Sequence, residues 1–284
     1  MIFEHEIPSN SRLYFGQSAK LKRNIEQDSA TLLEELGFSE ISTPLFSYHQ
    51  HNIFNNSRVL IRLNDTNNAQ VSLRADTTVD VVRISTKRLS RSENIKKWFY
   101  IQPIFTYPTT EVYQIGAEVI EGSIDEVANI SIKLLNNQSL KYSFQLANIA
   151  IAQILVSNYG FDLDDIKNIR LEKILNSKYS WVDSLVNIES VADLEDLSIF
   201  PQDIKVELSR LKKSATLIDS KDILISPLYY TPMRYYNSLV FRAFDGEKLY
   251  ATGGIYKIQD VDGAGFAIYT DTIIANKIGK GCYE

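Results

Sequence analysis

Gln114 and Glu118 stand four residues apart on one β-rich run, and Asp76 and Thr78 close an upstream segment, Leu73-Arg-Ala-Asp76-Thr-Thr78. Much farther along come Tyr236 and Tyr256. A carboxylate accepts hydrogen bonds from N–H donors, while amide and hydroxyl groups both give and accept them. Gly253 and Gly254 permit close backbone approach to a ligand, or positive φ. These are groups that bind rather than groups that attack. Taken singly, Glu118 also reads as a surface carboxylate and either tyrosine as an ordinary core residue. No Gly-x-x-x-x-Gly-Lys loop, HExxH or CxxC motif is present. The three histidines are His5, His49 and His51, and His49-Gln-His51 reads as an exposed loop pair. Neither a metal nor a cofactor is expected.

Regular elements must hold these residues in place. Leu21, Ile25, Leu32, Leu33 and Leu36 share one face at helical spacing, with Gly37 placed to stop the helix. Phe38 to Pro44 reads as a strand that proline ends. Trp98–Phe105 and Val112–Glu121 read as an antiparallel pair joined by Tyr107-Pro-Thr-Thr-Glu111. Helices are expected over Ile124–Asn136 and Leu146–Asn158. From about 161 to 217 charges interleave with leucine and isoleucine, which predicts a small helical insertion. Strands then resume over Ile223–Tyr230, Tyr235–Phe244 and Lys248–Thr252, with Asp245-Gly246 as a hairpin turn. Gly265 to Ala275 reads as a terminal helix. The fold class expected is α+β, an antiparallel sheet flanked by helices, built as a single domain over residues 1–284.

Composition narrows the possibilities. The chain has 284 residues, 44% of them hydrophobic, enough for one large core. No run of about 18 apolar residues could span a bilayer, and the acidic start MIFEHEIPSN lacks a signal-peptide core. Cys282 is the sole cysteine, so no internal disulfide can form and a cytoplasmic setting is expected. A net charge of −5 argues against tRNA as the main partner. Sixteen tyrosines suit half-buried strands and interfaces.

From Ser72 to Gly122 the chain resembles the central motif of class II aminoacyl-tRNA synthetases, closest to histidyl-tRNA synthetase. That family's return strand reads His-Gln-x-Gly-x-Glu, and here Gln114, Gly116 and Glu118 stand in order. The helix and the strand ending at Pro44 resemble the first class II motif, which implies a self-dimer. Met233-Arg-Tyr-Tyr236 and Thr252-Gly-Gly-Ile-Tyr256 match two later family segments. The resemblance implies a histidine pocket. In it Asp76 and Thr78 hold the ammonium, Gln114 the backbone of the amino acid, and Glu118, Tyr236 and Tyr256 surround the imidazole. L-histidine is the ligand expected.

The arginines that steady ATP in that family are missing. The positions fall at Thr106, Thr231 and Thr272, and threonine has neither charge nor a bidentate fork. Losing one preorganised donor costs about 10²–10³-fold in rate, so losing three should abolish adenylate formation. Tyr269 replaces a small glycine, and its ring is expected where adenine would stack. Arg83, Arg234 and Arg242 are the cations available to compensate, but none stands at the family's positions. No anticodon-binding domain is expected beyond the terminal helix.

A synthetase-like chain of this kind resembles the regulatory subunits of ATP phosphoribosyltransferase. The resemblance implies a subunit with no catalysis of its own. It would associate with a short catalytic transferase in a hetero-octamer, enable the first step of histidine biosynthesis, and take part in feedback inhibition by histidine. Three alternatives stay open: a histidine-binding synthetase paralogue that activates amino acids or forms amides with ATP, a sensor of histidine or uncharged tRNA for another partner, and a dimeric scaffold with a dead pocket.

Overall fold

The computed structural model describes residues 6–50, 59–231, 233 and 235–279, so His5, His51, Arg234 and Cys282 lie outside the described residues. The first half holds helix α1 (Gly16–Glu35), strands β1 (Ser39–Glu40), β2 (Phe46–Ser47), β3 (Arg62–Asn64) and β4 (Gln70–Leu73), helix α2 (Thr78–Lys87), and strands β5 (Lys97–Thr106) and β6 (Thr110–Ile120). Helix α3 (Ile124–Asn137), β7 (Ser143–Asn148) and α4 (Ile149–Tyr159) follow, then α5 (Leu163–Lys167), α6 (Leu171–Leu175), α7 (Trp181–Val186) and α8 (Gln202–Leu217). The chain continues with β8 (Ile223–Ile225), β9 (Tyr236–Asp245), β10 (Lys248–Ile258), β11 (Val261–Tyr269) and α9 (Thr270–Ile278).

Eight strands form one sheet in the order β1-β5-β6-β11-β10-β9-β7-β8, and β2-β4-β3 form a second, smaller one. The large sheet is antiparallel except at its two edges, where β1 runs parallel to β5 and β8 parallel to β7. Because side chains alternate along each strand, the sheet has two distinct faces. Phe99, Ile115, Ala117, Phe241, Phe266 and Ile268 join one core with Leu33 of α1, Leu135 of α3, Leu155 of α4, Leu211 of α8 and Ile273 of α9. Ile166, Ile174 and Leu185 from α5–α7 belong to that same core. The opposite face is roofed by α2, where Val79 and Val82 pack with Tyr235 and Tyr256, and Val81 with Trp98 and Tyr100.

Glycines open room on the α2 face. Gly116 pairs with Tyr100, Gly265 with Glu118, and Gly263 with Tyr256 across adjacent strands. A Cβ on any of the three glycines would collide with the large side chain opposite. Each large group therefore lies down over a neighbouring glycine, so its tip stays on the sheet floor.

The end of α1 is a Schellman motif. Gly37 takes φ +83°, its N–H donates to Glu34 O at 2.9 Å, and Phe38 N donates to Leu33 O at 3.0 Å. Other boundaries differ from the sequence expectation. Leu146–Asn148 completes β7, and α4 starts only at Ile149, where the Asn148 side chain accepts from Ala150 N at 3.1 Å. Gly265–Tyr269 is strand, and the last helix begins at Thr270. The run from Ile223 stays extended only to Ile225, β10 continues past Thr252 to Ile258, and the strand after α1 is only two residues long. Leu146–Asn148 and Gly265–Tyr269 are largely buried on both faces of the sheet, and such runs carry no period that separates strand from helix.

Candidate binding site

Two buried side chains fix the 74–78 segment. Arg74, 1% exposed, gives its donors to the carbonyls of Thr43 (2.9 Å), Pro44 (3.1 Å) and Pro103 (2.7 Å). It therefore clamps the chain after β1 to β5. The Gln50 amide accepts from Ala75 N (3.0 Å) and Asp76 N (2.8 Å), and donates to Asp76 O and Asp80 Oδ2, both at 2.9 Å. Asp80 also accepts from Ser47 Oγ at 2.7 Å, and burial raises its pKa all the same.

Asp76 is thus held at the start of α2, 7% exposed. Its carboxylate accepts from Val79 N at 3.2 Å and from the Tyr235 hydroxyl at 2.8 Å. Burial outweighs both bonds and lifts its pKa to about 6.

Glu118 is fully buried on β6, with neither carboxylate oxygen in a hydrogen bond among the described residues. Burial raises its pKa well above the ordinary carboxylate range, and the Asp76 charge adds to the rise. The Thr78 and Tyr256 hydroxyls stand close enough to oppose it but fall short of hydrogen-bond geometry, and the Tyr256 hydroxyl is itself unpartnered. A buried carboxyl group without donors is held as the neutral acid.

A cavity of about 230 Å³ lies over β6, β11, β10 and β9, with Asp76, Thr78, Gln114 and Tyr236 in its wall. Four of the six residues expected in a pocket therefore share one. Glu118 and Tyr256 sit one row farther along the floor, sealed from the cavity, with Tyr100 and Tyr236 against Glu118. The cavity also contains residues that sequence reading did not single out: Tyr100, Tyr229, Tyr235 and Thr252. The unusual number of tyrosines was the available signal, and the glycine opposite Tyr100 shows where one had to lie flat.

The three threonines expected at the arginine positions are dispersed. Thr231 lines the cavity. Thr106, at the tip of β5, does not, and Thr272 opens on a second hollow of about 620 Å³. Arg12 and Lys248 line that hollow too, but each has a partner. Arg12 Nε lies 3.7 Å from Asp271, and Lys248 donates to Asn276 Oδ1 at 2.6 Å. Tyr269 faces the first cavity, its hydroxyl 3.0 Å from Thr252 Oγ1. Among the described residues no helix is long and apolar enough to cross a membrane.

This roofed antiparallel sheet, with a tyrosine-lined cavity on its floor, has the fold of the histidyl-tRNA synthetase class. The family model described as histidyl-tRNA synthetase matches residues 14–273. A solved structure from Bacillus halodurans, described as an ATP phosphoribosyltransferase regulatory subunit/histidyl-tRNA synthetase, superposes with a TM-score of 0.83 at 19% identity, covering 96% of this chain and 83% of that one. The ATP phosphoribosyltransferase regulatory subunit of Wolinella succinogenes is 41% identical, covering 96% of both chains. That of Helicobacter hepaticus is 39% identical, covering 96% of this chain and 98% of its own. The chain belongs to the family of ATP phosphoribosyltransferase regulatory subunits.

Proposed function

We propose that this chain is a non-catalytic subunit of ATP phosphoribosyltransferase that binds L-histidine and passes that binding on to a short catalytic partner. The observation that supports the reading is Asp76 in the wall of a tyrosine-lined cavity, with the buried, unpartnered Glu118 one row beyond it and threonine at Thr231 where an ATP-binding arginine would stand. Asp76 and Thr78 receive the ammonium and Gln114 the backbone polar groups. Glu118, reached once a tyrosine hydroxyl moves aside, meets the imidazole between Tyr236 and Tyr256. Desolvating an imidazole is favourable only where its N–H finds an acceptor, which selects histidine over leucine or phenylalanine. Adenylation needs fixed cations on the α-phosphate, and the threonines at 106, 231 and 272 supply none. Tyr269, in the wall, takes the place of a small glycine where adenine would stack.

Feedback follows if histidine binds one state of the assembly better than another, and a coupling of about 1–3 kcal/mol gives 5–150-fold regulation. The subunit pairs with itself through α1 and the segment ending at Pro44. It joins the catalytic chains in a hetero-octamer in the cytoplasm, without tRNA. Calorimetry on the isolated chain and on the complex should show histidine binding in at least one, while histidine-dependent pyrophosphate exchange with ATP should be nil. Exchange above background would favour the amide-forming or amino-acid-activating paralogue instead. Co-purification should bring down the transferase and not RNA.

A further inference from the structure

An amino acid in this cavity leaves one group unmatched. Asp76 suits an ammonium and Glu118 an imidazole, but the ligand's carboxylate would face Thr231 and the surrounding hydroxyls. Of the other arginines, Arg83 stands on α2 with a terminal nitrogen 3.4 Å from His49 Nε2, and Arg234 lies outside the described residues.

Arg242 is placed differently. On β9 it pairs across with Thr252 of β10, and it shares a sheet face with Val240; both of these residues line the cavity. Its guanidinium lies over the rings of Tyr229 and Phe244, 4.6 Å from each centroid. Tyr229 is itself in the cavity wall, two residues before Thr231. Arg242 Nε donates to Gln145 Oε1, and the Gln145 amide is held in turn by Ser226 Oγ. No carboxylate pairs with Arg242 among the described residues. A guanidinium stacked on two rings and pinned through Nε is already oriented, and its two terminal nitrogens form the fork that matches a carboxylate. A half-buried cation in that state has every reason to attract an anion entering beside it.

We propose that Arg242, just behind the wall residues Tyr229 and Thr252, reads the carboxylate of the cavity's ligand and replaces the charge absent at Thr231. The residue then sets specificity: it favours the zwitterionic amino acid over an amine that carries the same ring. This rests on the histidine-pocket reading above.

Calorimetry on the full chain with L-histidine and with histamine, which keeps ring and ammonium but lacks the carboxylate, tests it. Arg242→Met keeps an unbranched stem between the two rings. It should weaken histidine about 10- to 100-fold, the range of a lost charge-assisted bond, and leave histamine within about twofold. Arg242→Lys should recover part of the histidine affinity and leave histamine unmoved, which a purely structural role would not produce. Equal losses for both ligands, or unchanged histidine binding in Arg242→Met, overturn the assignment while the pocket reading stands. If neither the wild-type chain nor its complex with the catalytic partner binds either ligand, the pocket reading falls and Arg242 loses its role with it.

Discussion

Glu118 and Asp76 occupy opposite ends of one electrostatic problem. Both are carboxyl groups pushed toward the acid form by burial, and each has a ligand group that would repay the cost of its charge. Glu118→Gln keeps the shape and removes the charge. It should lower histidine affinity at least about tenfold, because a neutral amide cannot form a charged pair with the ring. Melting temperature at pH 8 should hold or rise, because the variant no longer buries an unpaired acid. Calorimetry and a thermal scan on the same samples check both. Asp76 yields a pH signature. Its folded pKa of about 6 exceeds the ordinary 3.8, so the folded chain binds the extra proton. That contribution to stability is complete below about 4 and is lost as pH rises through about 6. The full span amounts to roughly 3 kcal/mol. Urea unfolding at pH 5 and pH 7 should show the wild type losing ground against Asp76→Asn across that interval. A constant gap between the two would mean that Asp76 is not held as an acid.

At the scale of elements, the site depends on two strands, β6 and β11, that carry glycine where a neighbour lies flat. Gly116→Ala would force its methyl into the Tyr100 ring. Overpacking of this sort costs about 1–3 kcal/mol, and denaturant unfolding should show a loss of that size together with weaker histidine binding. Undiminished stability and affinity would show that Tyr100 can move freely. The same strands mark how far sequence reading reaches. The β5–β6 hairpin and α3 were legible because turn residues and amphipathic spacing bound them. So was the stop at Gly37, where only a left-handed residue closes α1. The strand that ends at Asn148 and the one that ends at Tyr269 were not legible. Their runs are buried on both faces, and only pairing with distant strands decides between extended and helical backbone. Motif order grouped Asp76, Gln114 and Glu118 in the sequence, and the fold sets the first two in one cavity wall and Glu118 just beyond it. Tyr235 was not legible, and Arg242 stood out only as one of three spare cations without a place, since the hydroxyl bond to Asp76 and the stack on Tyr229 join residues brought together only by the sheet.

For the molecule as a whole, the regulatory-subunit family implies partnership with a catalytic transferase, and a chain of buried hydrogen bonds leads outward from the cavity. The Gln50 amide joins the chain beyond β2 to the backbone of Asp76, and Arg74 ties that segment to β5. A ligand held at Asp76 would act on a network of buried hydrogen bonds that reaches the outer, smaller sheet. Its surface carries Phe46 and Tyr48 exposed at 57% and 53%. The most direct measurement is the rate of the reconstituted transferase with and without histidine, using wild-type subunit and Glu118→Gln in parallel. With the wild-type subunit histidine should inhibit. With Glu118→Gln the complex should assemble and turn over at the uninhibited rate, yet lose most of its response to histidine. Equal inhibition of both complexes would place the histidine sensor elsewhere and contradict the pocket as the seat of feedback.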